Sequence, residues 1–134
     1  MAHFKQIIIE KFRGFDSLEV LNLGQINLFV GKNNCGKSSI LESIFLSAGM
    51  SNPSLPAHIN SFRGLDKSVN DLKFIFNKLQ FDKIPVFTTL TDDGIERRLE
   101  IHPIFKQNIS NENSENVQKN DLYLMNTSTA TPTI

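Results

Sequence analysis

Residues 30–39 read VGKNNCGKSS, which satisfies G-x-x-x-x-G-K-[ST], the pattern of a phosphate-binding loop. Nothing else in the chain limits the fold as tightly. The pattern works only where a strand ends at its first glycine and a helix opens at its lysine. Gly31 and Gly36 let the backbone wrap an anion with no Cβ in the way, while the loop N–H groups and the helix N-terminus point at it. Lys37 is placed to reach the β- and γ-phosphates of a nucleotide. The Ser38 hydroxyl is placed to sit on Mg²⁺, which neutralises and bridges phosphate oxygens. Asn33, Asn34 and Cys35 lie between the glycines and join the same candidate nucleotide-binding set.

The flanking patterns meet the demand. Residues 25–30 hold Ile26, Leu28, Phe29 and Val30 and read as a short buried strand running into Gly31. Beyond the loop, Ile40, Leu41, Ile44, Phe45 and Ala48 recur at helical spacing, which predicts one apolar helix face over residues 37–48 with Gly49 as its stop. Upstream, Ile7, Ile8 and Ile9 are β-branched and stiff and predict a strand over residues 4–12. Residues 13–16 then turn, and Leu18-Glu19-Val20 alternates as a second, antiparallel strand. Downstream, Pro53 and Pro56 mark residues 51–64 as an exposed loop. Leu65, Val69, Leu72, Phe76 and Leu79 predict a second helix over residues 66–79. Residues 85–91 and 95–101 read as a hairpin about an Asp93-Gly94 turn, with Val86, Thr88, Leu90 and Leu99, Ile101 alternating with polar positions.

Residues 107–121 turn polar and read as a loop or disordered insert. Residues 122–125 open a further strand. The expected division is therefore 1–106 as the N-terminal part of a P-loop domain, 107–121 as insert, and 122–134 as the start of another element. One strand before the loop cannot complete a P-loop sheet. The chain is thus expected to be the N-terminal part of a longer protein, or to pair with another chain that supplies the rest.

Composition narrows the class. The chain has 134 residues, 40% hydrophobic and 21% charged, enough for one domain with a core. Its formal net charge is zero, so no global basic character points to nucleic acid, although a local patch would escape this measure. A single cysteine precludes an internal disulfide and favours a cytoplasmic location. No run of about 18 apolar residues is present, so no membrane partner is expected.

The run IIIEKFRGF, a short hairpin and then INLFVGKNNCGKSSILESI resemble the ATPase head of the SMC, RecF and OLD (overcoming lysogenization defect) group. These are ABC-type ATPases. The Asn33-Asn34 pair looks more like OLD-type and related AAA-like defence ATPases than like SMC proteins, which usually carry Gly at the second position. The likeness is specific over residues 4–47, looser to residue 104, and absent beyond. It implies an α/β P-loop NTPase fold of the ABC-head type, an antiparallel β subdomain beside a mixed sheet. It implies ATP with Mg²⁺, and Arg13 near the nucleotide with Ser39 at the α-phosphate. It further implies a homodimer that sandwiches nucleotide between two heads, with DNA as a further partner.

Hydrolysis of this kind needs an apolar strand ending in Asp, usually followed by Glu. No stretch supplies it. KFIFNKLQFD has helical spacing and no following Glu, and Asp92-Asp93 reads as a solvated turn. Leu46-Ser47-Ala48-Gly49 superficially resembles the signature segment of ABC-type heads but falls on the end of the loop helix. No catalytic residue is therefore identified. Cys35 reads as a small loop residue or as a thiol that a helix N-terminus could activate. His3, His58 and His102 have no metal-like spacing. Arg97-Arg98 reads as solvated edge charge rather than a DNA contact.

The expected function is Mg-ATP binding within an OLD/RecF-like ATPase that acts in DNA repair or phage defence through ATP-driven dimerisation. A non-hydrolysing nucleotide sensor that regulates a partner chain is the alternative. A small P-loop kinase or GTPase ranks below both, because Asn77-Lys78-Leu79-Gln80 lacks the Asp of a guanine-reading motif.

Overall fold

The computed structural model describes residues 3–65, 69–106 and 121–132. Five strands form one antiparallel sheet: β1 (Phe4–Phe12), β2 (Phe15–Val20), β3 (Val86–Thr91), β4 (Ile95–Lys106) and β5 (Asp121–Pro132). Their order across the sheet is β2-β1-β3-β4-β5. The isoleucine run makes β1 an interior strand, with Ile7 and Ile9 fully buried and Ile8 turned to the other face, as a period of two requires. A two-residue turn at Arg13 and Gly14 joins β1 to β2 and pairs Phe12 with Phe15.

Helices α1 (Lys37–Ala48), α2 (Leu55–Ser61) and the short α3 (Val69–Leu72) pack on one sheet face. The core joins Ile7, Ile9, Phe12, Phe87, Leu99 and Ile101 of the sheet to Leu46, Ile59, Leu72, Ile75 and Phe76. Each such side chain contributes roughly 1.5–3 kcal/mol on burial.

Several expectations are corrected here. Residues 25–30 are neither a strand nor buried: Ile26, Leu28 and Val30 are 94%, 86% and 79% exposed. The chain leaves the sheet at Leu23, whose N–H donates to the Lys5 carbonyl at 2.8 Å, and Asn27 then clamps Gly24 through two hydrogen bonds. Past that point no described strand lies alongside to pair its backbone, and an unpaired segment has no ladder to hold it. The mixed sheet implied by the resemblance is accordingly not formed by the described residues, whereas the antiparallel sheet is.

Helix α1 has the expected bounds but presents a different face. It buries Ser39, Ser43, Leu46 and Ser47 and leaves Leu41 and Phe45 largely exposed. Ser43 donates to the Ile40 carbonyl at 2.6 Å and Ser47 to the Ser43 carbonyl at 2.8 Å. With their hydroxyls satisfied inside the helix, these small side chains cost little to bury and admit close approach to the sheet.

The segment read as an exposed loop contains α2, because Pro56 falls in the first turn, where its missing N–H is no loss. Of the single helix expected over residues 66–79, residues 66–68 lie outside the described residues, and the rest is α3 followed by two 3₁₀ turns, Lys73–Ile75 and Asn77–Leu79. Phe76 between them is extended and bridges to Phe12. This pairing with the end of β1 breaks the helix, and Lys78 and Leu79 adopt φ of 53° and 58°.

In the hairpin, the β3 face toward the core is Phe87, Thr89 and Thr91, not Val86, Thr88 and Leu90. Residues 121–132 form the fifth strand of the same sheet, paired along β4. Arg97-Arg98 therefore lies on an interior strand, not an edge. The polar stretch 107–120 lies outside the described residues. Asp92 and Asp93 occupy an exposed turn, as expected.

On β4, Glu100 accepts from Arg98 Nε at 2.9 Å and pairs with His102 Nε2 at 2.8 Å. These bonds, that to His102 first, hold its carboxyl below the usual range. A carboxylate depressed in the folded state stabilises above its unfolded pKa, and that contribution is lost as pH falls through the folded value. Glu100→Gln is expected to flatten the acid limb of stability against pH, read by urea unfolding across the range below the ordinary carboxylate pKa.

Candidate functional site

The loop, the β1–β2 turn, the segment after α2 and the two 3₁₀ turns enclose a cleft of about 830 Å³. Arg13, Asn33, Asn34, Cys35, Gly36, Lys37, Ser38 and Ser39 all line it. Of the sequence candidates only Gly31 does not. It lies beneath the loop, where an added Cβ would sit 2.7 Å from Cys35 Sγ.

The loop backbone is shaped by its sequence. Asn34 has φ of 65° and Gly36 φ of 101°, left-handed values that suit Asn and Gly. Gly36 caps α1, and its carbonyl accepts the first helical bond, from Ile40 N–H at 3.0 Å. The Lys37 ammonium is held by its own loop, donating to the Gly31 carbonyl and, at 3.3 Å, to that of Lys32. A phosphate would compete with those two carbonyls for it. Cys35 is exposed.

Arg13 lines the cleft, yet its guanidinium is already committed. Nε donates to Glu42 Oε2 at 2.7 Å, NH1 to the Phe74 carbonyl at 3.1 Å and NH2 to Asn60 Oδ1 at 3.0 Å. Burial lowers its pKa from the ordinary value, against which Glu42 acts. Arg63 is the residue that the sequence reading missed. Its side chain is 38% exposed. Its Nε donates to Glu42 Oε1 at 2.7 Å, and its NH2 to Glu42 Oε2 at 3.0 Å and Ser39 Oγ at 3.2 Å. No local motif marks Arg63, because α2 was not foreseen and only that helix returns the chain to the loop.

Four cationic side chains thus line the cleft, Arg13, Lys37, Arg63 and Lys78, and among the described residues no carboxylate does. Such a lining favours a polyanion. Phe15, Leu65, Phe74, Phe76 and Leu79 add apolar surface. For Mg²⁺, the exposed Ser38 hydroxyl fits a cation whose other ligands are phosphate oxygens and water. The described residues hold no cluster of three or more His, Cys, Asp or Glu able to bind a metal by themselves. None of their helices is long and apolar enough to cross a membrane.

The family described as AAA domain matches residues 6–129, and the chain belongs to that family. It is 59% identical over 44 residues to the uncharacterized protein MJECL10 of Methanocaldococcus jannaschii, a match covering 31% of this chain and 20% of that protein. It is 27% identical over 101 residues to the DNA replication and repair protein RecF of Ruminiclostridium cellulolyticum, covering 61% of this chain and 27% of RecF. The chain therefore spans about a quarter or less of these relatives' lengths. No solved structure matches.

Proposed function

We propose that this chain binds Mg-ATP in the cleft and forms the nucleotide-holding part of a RecF- or OLD-like ATPase. One observation carries the reading: a P-loop that opens α1 borders a cleft whose charged lining, among the described residues, is cationic. Lys37 would leave its loop carbonyls for the β- and γ-phosphates, Ser38 would hold Mg²⁺, and Arg63 adds a second cation beside Ser39. Mg²⁺ held there would supply neutralisation of the phosphate charge.

Among the described residues no carboxylate lines the cleft to polarise water, so turnover needs one from elsewhere, in this chain or in other polypeptide that packs on it. The exposed Ile26, Leu28 and Val30, together with Leu41 and Phe45 of α1, give such polypeptide an apolar surface on which to pack. ATP-driven dimerisation and a role in DNA repair or phage defence, in the cytoplasm, follow from likeness to the group. The same lack of a carboxylate in the lining favours the second reading, a non-hydrolysing sensor that regulates a partner.

Equilibrium titration of the chain with Mg-ATP tests the site. Lys37→Ala is expected to weaken binding by about 2 kcal/mol, roughly thirtyfold, the worth of a strong charge-assisted contact. Unchanged affinity in that variant would sink the assignment. ATP turnover by the chain alone, abolished in Lys37→Ala, would mean that a catalytic carboxylate is present in it and would remove the sensor reading.

A further inference from the structure

We propose that Glu42 is a positioning residue that aims the Arg63 guanidinium at the phosphate-binding loop. The inference rests on the reading of the cleft as a nucleotide site. Glu42 projects from the second turn of α1, and its side chain is 11% exposed. Both its oxygens are occupied: Oε1 by Arg63 Nε at 2.7 Å, and Oε2 by Arg13 Nε at 2.7 Å and Arg63 NH2 at 3.0 Å. With three guanidinium N–H groups on its two oxygens and only 11% exposure, this carboxylate is committed to the arginines, and orienting them is its chemistry.

The two arginines it bridges differ. Arg13 is buried and fixed by three nitrogens to Glu42, Asn60 and the Phe74 carbonyl. It gives the carboxylate a rigid base. Arg63 is partly exposed, and an arginine there has many rotamers open to it. A bidentate grip on one edge of a guanidinium fixes its plane, and here it leaves NH2 on Ser39 Oγ at 3.2 Å, at the start of α1. The backbone beneath is also tied, with the N–H groups of Arg63 and Leu65 both donating to the Asn60 carbonyl at 3.0 Å. One negative charge between two positive ones leaves a net positive charge facing the loop, so the carboxylate holds Arg63 without cancelling the attraction for an anion. A cation placed before the ligand arrives loses less freedom on binding.

The test is a double-substitution cycle read as Mg-ATP affinity, with thermal unfolding of each protein in parallel. Glu42→Gln and Arg63→Met are each expected to weaken binding by on the order of tenfold, and the double variant to bind no more weakly than Arg63→Met. A merely structural Glu42 would lower affinity by the same factor in both backgrounds, and that result overturns the proposal, as does wild-type affinity in Glu42→Gln. Should Glu42→Gln fail to fold, Glu42→Asp, which keeps the charge but retracts it by one methylene, must show the same dependence on Arg63. Wild-type protein that lacks Lys37-dependent binding would instead refute the nucleotide site itself.

Discussion

Arg13→Ala is expected to cost about 3–5 kcal/mol of folding stability, the usual penalty for breaking a buried ion pair from one side. Natural domains hold only about 5–15 kcal/mol, so the variant should lose a large fraction of its stability. The size follows from how much meets at this residue. Its side-chain nitrogens satisfy Glu42, Asn60 and the Phe74 carbonyl. Its N–H donates to the Ile75 carbonyl at 3.0 Å, and its carbonyl accepts from Asn77 Nδ2 at 3.0 Å. Alanine keeps those backbone bonds but leaves the buried Asn60 Oδ1 without its donor. It also strips Glu42 of one of two counter-charges. The left-handed φ of 50° is strained for any side chain and persists because its surroundings hold it. Arg13→Lys restores the charge but reaches at most one of the three acceptors, and should recover less than half of the loss. Urea unfolding measures both variants, and a loss below about 1 kcal/mol for alanine would contradict a buried, fully engaged guanidinium. The resemblance implied Arg13 near the nucleotide, and it does line the cleft. Its bonding makes it chiefly a strut between the β1–β2 turn, α1 and α2.

What the sequence disclosed and what it hid divide along a physical line. Signals that depend on local covalent chemistry were readable: the glycine pair of the loop, the β-branched run of β1, the Asp-Gly turn and the bounds of α1. Signals that depend on neighbours were not. Alternation over Ile26, Leu28 and Val30 shows that a strand would suit those residues, but only a partner strand makes one, and the described residues supply none. In α1 the apolar periodicity named Leu41 and Phe45, whereas the buried face is Ser39, Ser43, Leu46 and Ser47, of which Ser43 and Ser47 satisfy their own helix. The helical spacing over residues 66–79 was overridden by a single long-range bridge, Phe12 to Phe76. Arg63 was invisible for the same reason: its place at the cleft is set by α2, which the two prolines disguised as loop.

Gly36→Ala is expected to damage both fold and site, at about 3 kcal/mol, with loss of Mg-ATP binding. Two separate costs are involved. The first is conformational: φ of 101° is open to glycine and costs an L-residue roughly 1–2 kcal/mol. The second is steric: a Cβ at Gly36 would lie 2.5 Å from Phe15 Cζ and 2.9 Å from its Cε1. Phe15 is paired with Phe12 at the start of β2 and packs against the core, so its ring cannot swing aside freely, and overpacking of this kind costs about 1–3 kcal/mol. The two costs separate experimentally. In a Phe15→Leu background the ring edge is gone, and the further penalty of Gly36→Ala should fall to the conformational part alone. Stability would then show a favourable coupling of about 1–2 kcal/mol between the sites. Nucleotide affinity would not return with it, because a loop whose N-cap has lost its left-handed conformation no longer points its N–H groups into the cleft. Recovery of affinity along with stability would show that the clash, and not the backbone angle, is what makes glycine necessary at this position.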